Sequence, residues 1–178
     1  MLASVFVGTS VDGFIARPDG SFDFLPPGDG EDHGYTEFFA SVDALVIGRK
    51  TYETALGFGG WVYGKKPVIV LSTRKLAPAP KGALVERMSG DPAQVLSKLS
   101  ARGIRHVYVD GGVTIQRFLR AGLIQRLIVT RVPVLIGEGI PLFGPTGRDI
   151  ALKHVRTQHF PGGLVQSEYE VRSPGVAP

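Results

Sequence analysis

Three short segments of the chain carry the residue types that bind phosphate groups. They are Gly48, Arg49, Lys50 and Thr51; Ser72, Thr73 and Arg74; and Gly111, Gly112 and Thr114. Each segment follows a short apolar run that is typical of a β-strand. Glycine lets backbone N–H groups approach an anion, a helix N-terminus adds partial positive charge, and basic and hydroxyl side chains donate further hydrogen bonds. Together the segments favour a phosphate-bearing ligand, although each alone also fits an ordinary turn and helix cap.

Several other chemistries are excluded by the residues present. The chain has no cysteine, which removes disulfides, thiolate nucleophiles and Cys-ligated zinc. The four histidines show no metal-ligand spacing, so we expect no metal site. No G-x-G-x-x-G pattern follows a predicted strand, because "GFGGWV" at 57–62 fails at its last position. A dinucleotide site in this chain would therefore not be of the Rossmann kind.

The composition is typical of a soluble globular protein of 178 residues, with 43% hydrophobic and 20% charged residues. We expect one domain over 1–172 and a disordered tail at 173–178. The net charge of +4 is mild, and no basic stripe alternates with aromatic residues, so nucleic acid is not an expected partner. No apolar stretch approaches the roughly 18 residues of a membrane span. The first ten residues lack the basic start of a signal peptide, and we expect a cytoplasmic protein.

The elements that must position the three segments can be predicted from hydrophobic patterning. β-Branched runs bounded by glycine and proline predict eight strands, at 2–8, 43–47, 67–71, 83–87, 105–109, 125–134, 151–160 and 163–171. Helical spacing of apolar residues predicts helices over 32–41, from about residue 49, over 91–103 and over 113–122. Strands alternate with helices up to residue 122, and only strands follow. This order predicts an α/β fold with a mostly parallel sheet and a C-terminal antiparallel hairpin.

Five motifs, taken together, resemble the dihydrofolate reductase superfamily. They are "SVDGFIA" at 10–16, "DALVIGRKTYE" at 43–53, "VIVLSTR" at 68–74, "VYVDGGVTIQRFL" at 107–119 and "PVLIGEGIPLFG" at 133–144. Within that superfamily the chain is most similar to the reductase domain of the bifunctional riboflavin-biosynthesis deaminase/reductase and to its stand-alone bacterial relatives. The resemblance implies a three-layer α-β-α fold. Because the chain has no cysteine, it cannot carry the zinc site of the fused deaminase half.

The resemblance also implies an NADPH site built from the three segments. The residues from Gly48 to Thr51 match the pyrophosphate-binding helix start, and those from Ser72 to Arg74 match the turn that holds the 2′-phosphate. Val113 and Thr114 match the helix start after the double glycine, while Ile15 and Ala16 match the loop over the nicotinamide. In the superfamily the bond between the paired glycines is cis, so a cis bond is expected between Gly111 and Gly112.

Two carboxylates are candidate proton donors. Asp32 occupies about the place of the acid on the first helix of true dihydrofolate reductases, but a role as a helix N-cap is an open alternative. Asp12, in "SVDGF", matches a residue near the substrate in the riboflavin-type relatives, and a turn residue before Gly13 is equally compatible with the sequence.

The function that these inferences favour is an NADPH-dependent reductase. It would transfer a hydride to a small heterocyclic substrate, either a ribosylaminopyrimidine of riboflavin biosynthesis or a dihydropterin. A non-catalytic NADPH-binding or ligand-sensing module is the alternative. The riboflavin-type relatives form dimers, and residues 125–134 are more apolar than an exposed edge should be, so we expect a homodimer.

Overall fold

One eight-stranded sheet forms the centre of the computed structural model, which describes residues 1–26 and 32–172. Across the sheet the strands follow the order β5-β4-β3-β6-β1-β7-β10-β9, and β2 and β8 pair separately as a short ribbon. The strands are β1 (Leu2–Ser10), β2 (Phe14–Ala16), β3 (Ala44–Gly48), β4 (Val68–Leu71), β5 (Val85–Met88), β6 (His106–Asp110), β7 (Arg126–Val132), β8 (Ile140–Pro141), β9 (Leu152–Phe160) and β10 (Leu164–Val171). The first six strands in this order, from β5 at the edge to β7, pair in parallel. Strand β10 pairs antiparallel with both β7 and β9.

Four helices cover the two faces of the sheet. They are α1 (Tyr35–Ser41), α2 (Arg49–Leu56), α3 (Pro92–Ala101) and α4 (Gly112–Arg120). On one face, α1 and α2 bury Phe38 and Tyr52 against the sheet. On the other face, α3 and α4 bury Leu99 and Phe118 in a second apolar core. The predicted three-layer α-β-α fold with an antiparallel C-terminal hairpin is therefore confirmed.

Most predicted elements are present within a few residues of their expected ends. Helix α1 begins at Tyr35 rather than at residue 32, after two residues with left-handed φ angles, His33 at 48° and Gly34 at 81°. The ribbon of β2 and β8 was not predicted, because strands of three and two residues leave no pattern of alternation. The predicted tail at 173–178 lies outside the described residues. Within the described ranges, no helix is long and apolar enough to cross a membrane.

The position of β7 corrects one reason for expecting a homodimer. That strand lies inside the sheet between β1 and β10, and four of its seven residues in succession, 127–130, are buried. Its apolar sequence is therefore explained by burial within one chain and does not indicate an exposed edge. The edge strand on this side is β9, whose residues are almost all exposed. Self-association stays a prediction, without support from the apolar strand.

Candidate functional site

Two helix N-termini meet at one edge of the sheet. Helices α2 and α4 begin at the carboxyl ends of the adjacent strands β3 and β6, with Gly48 and Gly111 as N-caps and no side-chain hydrogen bond at either cap. A Cβ atom at Gly48 would lie 3.0 Å from the Thr114 Oγ1 atom, and one at Gly111 would lie 2.5 Å from the Thr51 Oγ1 atom. The two helix starts can therefore lie close together because each N-cap is a glycine without a side chain. The first-turn N–H groups of both helices open at the same edge, which suits an anion.

The third phosphate-friendly segment lies beside these two. Strand β4 pairs with β3 so that Leu71 is opposite Gly48, and the segment that starts at Ser72 continues from this point. The Ser72 hydroxyl donates to the Arg74 carbonyl oxygen and accepts from the Arg74 N–H, both at 2.9 Å. Thr73 and Arg74 are exposed. The fold therefore brings all three sequence segments together.

The two adjacent glycines have different structural roles. Gly111 has φ 94° and ψ 129°, a backbone conformation that L side chains rarely adopt. Gly112 is the first helical residue of α4, and a Cβ atom there would lie 3.1 Å from both the Ile15 Cδ1 atom and the Pro141 carbonyl oxygen. A single glycine would satisfy only one of these demands.

The prediction of a cis bond between Gly111 and Gly112 is wrong, since the described residues contain no cis peptide bond. The left-handed φ of Gly111 turns the chain from β6 into α4 while the bond stays trans. A Cβ atom at residue 112 would first meet Ile15 and Pro141 of this chain.

Of the predicted cofactor residues on the helix starts, several side chains face solvent. Lys50 is exposed, and Val113 is 68% exposed although it is apolar. The Arg49 guanidinium donates to the Glu53 carboxylate one turn later in α2. Thr114 is buried, with its hydroxyl turned to Gly48. The exposed apolar Val113 is a surface that a ligand at the helix starts would cover.

The two residues predicted to cover the nicotinamide lie in the ribbon. Ala16 is buried and pairs with Ile140 of β8, while the Ile15 side chain reaches the start of α4. The ribbon therefore lies against the double glycine, and the role of Ile15 and Ala16 at the nicotinamide stays a prediction.

The Asp32 carboxylate binds Thr36 in the first turn of α1, from two residues before the N-cap Gly34. Its Oδ1 and Oδ2 atoms accept from the Thr36 N–H at 2.8 and 3.0 Å, and Oδ1 also accepts from the Thr36 hydroxyl at 2.6 Å. The hydroxyl of Thr36, together with nearby N–H groups, lowers the pKa of this exposed carboxyl. A carboxyl with a lowered pKa holds little proton at neutral pH. The N-cap of α1 is Gly34, so Asp32 is not the N-cap itself, although it accepts from a first-turn N–H of this helix. The catalytic role of Asp32 stays a prediction.

Asp12 lies at the turn between β1 and β2 and contacts the segment after β7. Its Oδ2 atom accepts from the Gly137 N–H at 2.8 Å, and its Oδ1 atom accepts from the Ile136 N–H at 3.3 Å. The Ser10 hydroxyl is the main cause of its lowered pKa, and these two N–H groups add to the effect. Asp12 is therefore ionised at neutral pH and holds two segments together, while a role in proton donation stays a prediction.

A third carboxyl group, that of Asp110, has a raised pKa, whereas the pKa values of the two predicted donors are lowered. Asp110 is the last residue of β6, immediately before the double glycine, and its carboxyl group is enclosed by protein although part of the residue is exposed. Burial raises the pKa of Asp110 from 3.8 to about 6, and the Gly111 N–H opposes the shift. A carboxyl with this pKa holds a proton over part of the neutral range.

Aromatic side chains surround Asp110 on the α1 side of the sheet. Burial and the nearby Asp110 carboxylate raise the pKa of Tyr35 to about 12, and the same two causes raise that of Tyr63. Trp61 packs edge-on against Tyr63 with ring centroids 5.2 Å apart, and within residues 1–26 and 32–172 its buried indole N–H has no hydrogen-bond partner. This side of the edge therefore offers an aromatic wall next to one carboxyl group.

Sequence reasoning missed Asp110 although a signal was present. An ionisable residue that directly ends a buried strand and precedes a phosphate-binding type of turn is placed at the carboxyl edge of the sheet, where ligands of α/β proteins bind. The alternation of His106, Tyr108 and Asp110 along β6 puts these three side chains on one face. The burial that raises the pKa arises only in the folded chain, where Tyr35 and Tyr63, which are distant in sequence, come close enough to feel the charge of this carboxylate.

A separate cavity and the scattered acidic and histidine side chains define the limits of this site. A cavity of about 480 Å³ lies beside the edge strand β5 and is lined by residues such as Tyr52, Lys75 and Arg87. It therefore adjoins the segment after β4, and Asp110 is not among its lining residues. In the part of the chain that the structure describes, no group of three or more His, Cys, Asp or Glu residues could hold a metal ion.

Comparisons with known proteins place this geometry among related chains. The sequence model of one family, the RibD C-terminal domain, matches residues 4–166. A crystal structure described as "Putative riboflavin biosynthesis protein" from Shewanella sp. PV-4 is 36% identical, with a TM-score of 0.90 over 97% of this chain and 100% of that one.

Two further relatives extend the comparison. The uncharacterized protein YwjB of Bacillus subtilis is 29% identical over 93% of this chain and 95% of its own length. A pyrimidine reductase-like protein from Corynebacterium diphtheriae is 18% identical, with a TM-score of 0.74 over 97% of this chain and 92% of that one, which shows a shared fold.

Proposed function

The chain belongs to the RibD C-terminal domain family, a reductase-like family, and from this premise we propose that it is an NADPH-dependent reductase of a small heterocyclic substrate. The observation that carries the proposal is the position of Asp110. A carboxyl group with a raised pKa lies directly before the N-terminus of α4, and the neighbouring strand β3 leads into the N-terminus of α2, so both helix starts are open to an anion beside it. A reductase needs both features, one to hold the cofactor and one to supply the proton that accompanies a hydride.

The residues present fit the phosphate groups of NADPH. Neither Gly48 nor Gly111 has a side chain that would fill the space between the two helix starts, and neither helix has a side chain that satisfies its first N–H groups. Helix α3, by contrast, begins with the capping-box residues Asp91 and Gln94. We propose that the N–H groups of residues 49–51 and 112–114 hold the pyrophosphate.

The 2′-phosphate is assigned in this proposal to the turn after β4. The exposed Arg74 guanidinium can form charge-assisted hydrogen bonds with a dianion, and the hydroxyl groups of Ser72 and Thr73 can add to them. Arg49, at the start of the adjacent helix, supplies a second cation when its contact with Glu53 is exchanged for the phosphate. These groups account for an expected preference for NADPH over NADH.

The protein's chemical task in this proposal is positioning and proton supply. The reduced nicotinamide supplies the hydride when the cofactor is bound. The carboxyl group of Asp110 gives its proton to the nitrogen or oxygen atom of the C=N or C=O bond that accepts the hydride, and then regains a proton from solvent. Tyr35 and Tyr63 stay protonated because of their raised pKa values, so they can orient a polar edge of the substrate by hydrogen bonding.

The proposed substrate is a ribosylaminopyrimidine such as 5-amino-6-(5-phosphoribosylamino)uracil, whose ring-opened ribose would become a ribitol chain. Family membership supports this choice, and the aromatic wall of Tyr35, Tyr63 and Trp61 suits any flat ring. A dihydropterin fits the same wall and is the alternative substrate.

A substrate screen tests the proposal. NADPH oxidation is followed at 340 nm with ribosylaminopyrimidines and dihydropterins, using the unmodified protein and the Asp110→Asn variant. We expect turnover with one substrate class, lost at least a hundredfold in the variant while NADPH still binds. Tight NADPH binding without oxidation by any compound would contradict the reductase proposal and favour a cofactor-binding or ligand-sensing module.

A further inference from the structure

The connections that leave β1 and β7 run side by side beyond the carboxyl edge of the sheet. These two strands are paired up to Ser10 and Val132. The Val11 N–H then donates to the Val134 carbonyl oxygen, and the Leu142 N–H donates to the Gly13 carbonyl oxygen, both at 2.9 Å. The two connections therefore form one unit, which continues into the ribbon of β2 and β8.

The Asp12 side chain connects the turn after β1 with the segment after β7, at the outer end of this unit. The carboxylate receives two consecutive N–H groups, from Ile136 and Gly137, and Gly137 has a φ of 79°. Consecutive N–H groups that converge in this way form a small anion-binding concavity, which a carboxylate fills well. The contact joins residues 124 and 125 positions apart, so it fixes the two connections relative to each other and not only a local turn.

The opposite end of the ribbon lies on the start of α4. The Gln116 Nε2 atom donates to the Pro141 carbonyl oxygen at 3.0 Å, and Ile15 lies over Gly112. At Gly139 the missing side chain allows close contact with the Ala16 carbonyl oxygen, so the two short strands can pair. In addition to these backbone hydrogen bonds, two side chains hold the unit that contains the ribbon: Gln116 from the helix and Asp12 from the turn.

We propose that Asp12 is a positioning residue, which holds the ribbon of β2 and β8 against the start of α4 and so sets the geometry of the first-turn N–H groups. The inference rests on the proposed function, because those N–H groups matter only if they bind the cofactor. Asp12 acts through Ile136 and Gly137 and need not touch the substrate. This role differs from both sequence interpretations of Asp12, a substrate contact and a simple turn residue.

The test uses three variants of the full chain. Asp12→Ala removes both hydrogen bonds, and Asp12→Asn keeps one acceptor oxygen. Asp19→Ala is the matched control, since Asp19 is a carboxylate of the following turn that accepts from the N–H and hydroxyl of Ser21, at 2.8 and 2.7 Å, a contact within the turn. Amide NMR signals are recorded first without cofactor, and NADPH is then titrated into each protein.

We expect Asp12→Ala to shift the amide signals of residues 112–114 as well as those of residues 136 and 137, and to weaken NADPH binding about tenfold. Tenfold corresponds to about 1.4 kcal/mol, the size of one lost charge-assisted hydrogen bond. Asp12→Asn should fall between wild type and Asp12→Ala, and Asp19→Ala should bind within about twofold of wild type.

Two results would overturn the inference. One is a change at residues 136 and 137 that leaves residues 112–114 and NADPH affinity untouched, which would make Asp12 a loop residue only. The other is an equal loss of affinity in Asp19→Ala. If the wild-type chain binds no NADPH, the proposed function fails, and the cofactor-free signals of residues 112–114 still decide whether Asp12 positions the ribbon.

Discussion

Replacing Asp110 by asparagine should make the folded chain more stable at pH 8, although it removes the proposed proton donor. Burial disfavours the charged form of this carboxyl group and raises its pKa from 3.8 to about 6. Asparagine has nearly the same shape and carries no charge at any pH. A functional residue that costs stability is expected where activity requires a buried ionisable group.

The magnitude follows from linkage between protonation and folding. Below about pH 4 both folded and unfolded chains hold the proton, and Asp110 costs nothing. Between about pH 4 and 6 only the folded chain holds it, so stability falls as the pH rises, and above about pH 6 the loss is complete. About two pKa units at about 1.4 kcal/mol each give about 3 kcal/mol. Because the residue is partly exposed, we expect a gain of about 1–3 kcal/mol for Asp110→Asn at pH 8.

Urea unfolding followed by circular dichroism at pH 8 and pH 5 measures the effect without any substrate. The gain should be about half as large at pH 5, since about half of the penalty has developed there. Asp43→Asn is the control of opposite sign, because the Asp43 Oδ2 atom accepts from the Arg105 and His106 N–H groups, which lower the pKa of Asp43. That variant should be less stable than wild type at pH 8. An Asp110→Asn protein with the same or lower stability than wild type at both pH values would refute the burial argument.

Four further predictions concern backbone strain, cofactor preference, the identity of the acid and self-association. Gly111→Ala should lower the free energy of unfolding by more than 2 kcal/mol, measured by thermal unfolding, against about 1 kcal/mol for Gly103→Ala. Both glycines have a left-handed φ, but only a Cβ atom at Gly111 would meet a hydroxyl group, that of Thr51. Adding Thr51→Ala to Gly111→Ala should therefore recover part of the difference. Arg74→Ala should reduce the preference for NADPH over NADH by at least tenfold in fluorescence titrations, and unchanged discrimination would argue against the 2′-phosphate assignment. Asp32→Asn should retain most of the turnover that Asp110→Asn loses, and the reverse order would restore Asp32 as the acid. Light scattering at micromolar concentration should give a dimer mass, whereas a monomer mass would contradict the predicted self-association.

Much of the fold could be predicted because its patterns are local. The apolar run at 67–71 and the helical stripe of Ile115, Phe118 and Leu119 were read correctly, since each depends on a few neighbouring residues. Sheet order could not be predicted in the same way. An apolar strand such as β7 has the same sequence signature whether its neighbours come from its own chain or from a partner, and this produced the mistaken argument for an exposed edge.

In the candidate site, too, features with a local sequence pattern could be predicted, and features that depend on distant residues could not. The glycines and basic residues at three strand ends could be found from the sequence because a turn before a helix has a local signature. The raised pKa of Asp110 could not be predicted, because it results from burial in the folded chain, where distant residues such as Tyr35 and Tyr63 come near this carboxylate. The contact of Asp12 with Gly137 likewise joins two loops that no local pattern relates.

An NMR titration of the ¹⁵N-labelled chain with NADPH tests most directly whether the two helix starts form the cofactor site. The amide signals of residues 49–51 on α2 and 112–114 on α4 should shift together, with one binding curve and the largest changes in the spectrum. Saturable binding that shifts only signals around the cavity of Lys75 and Arg87, or no binding at millimolar NADPH, would contradict the account.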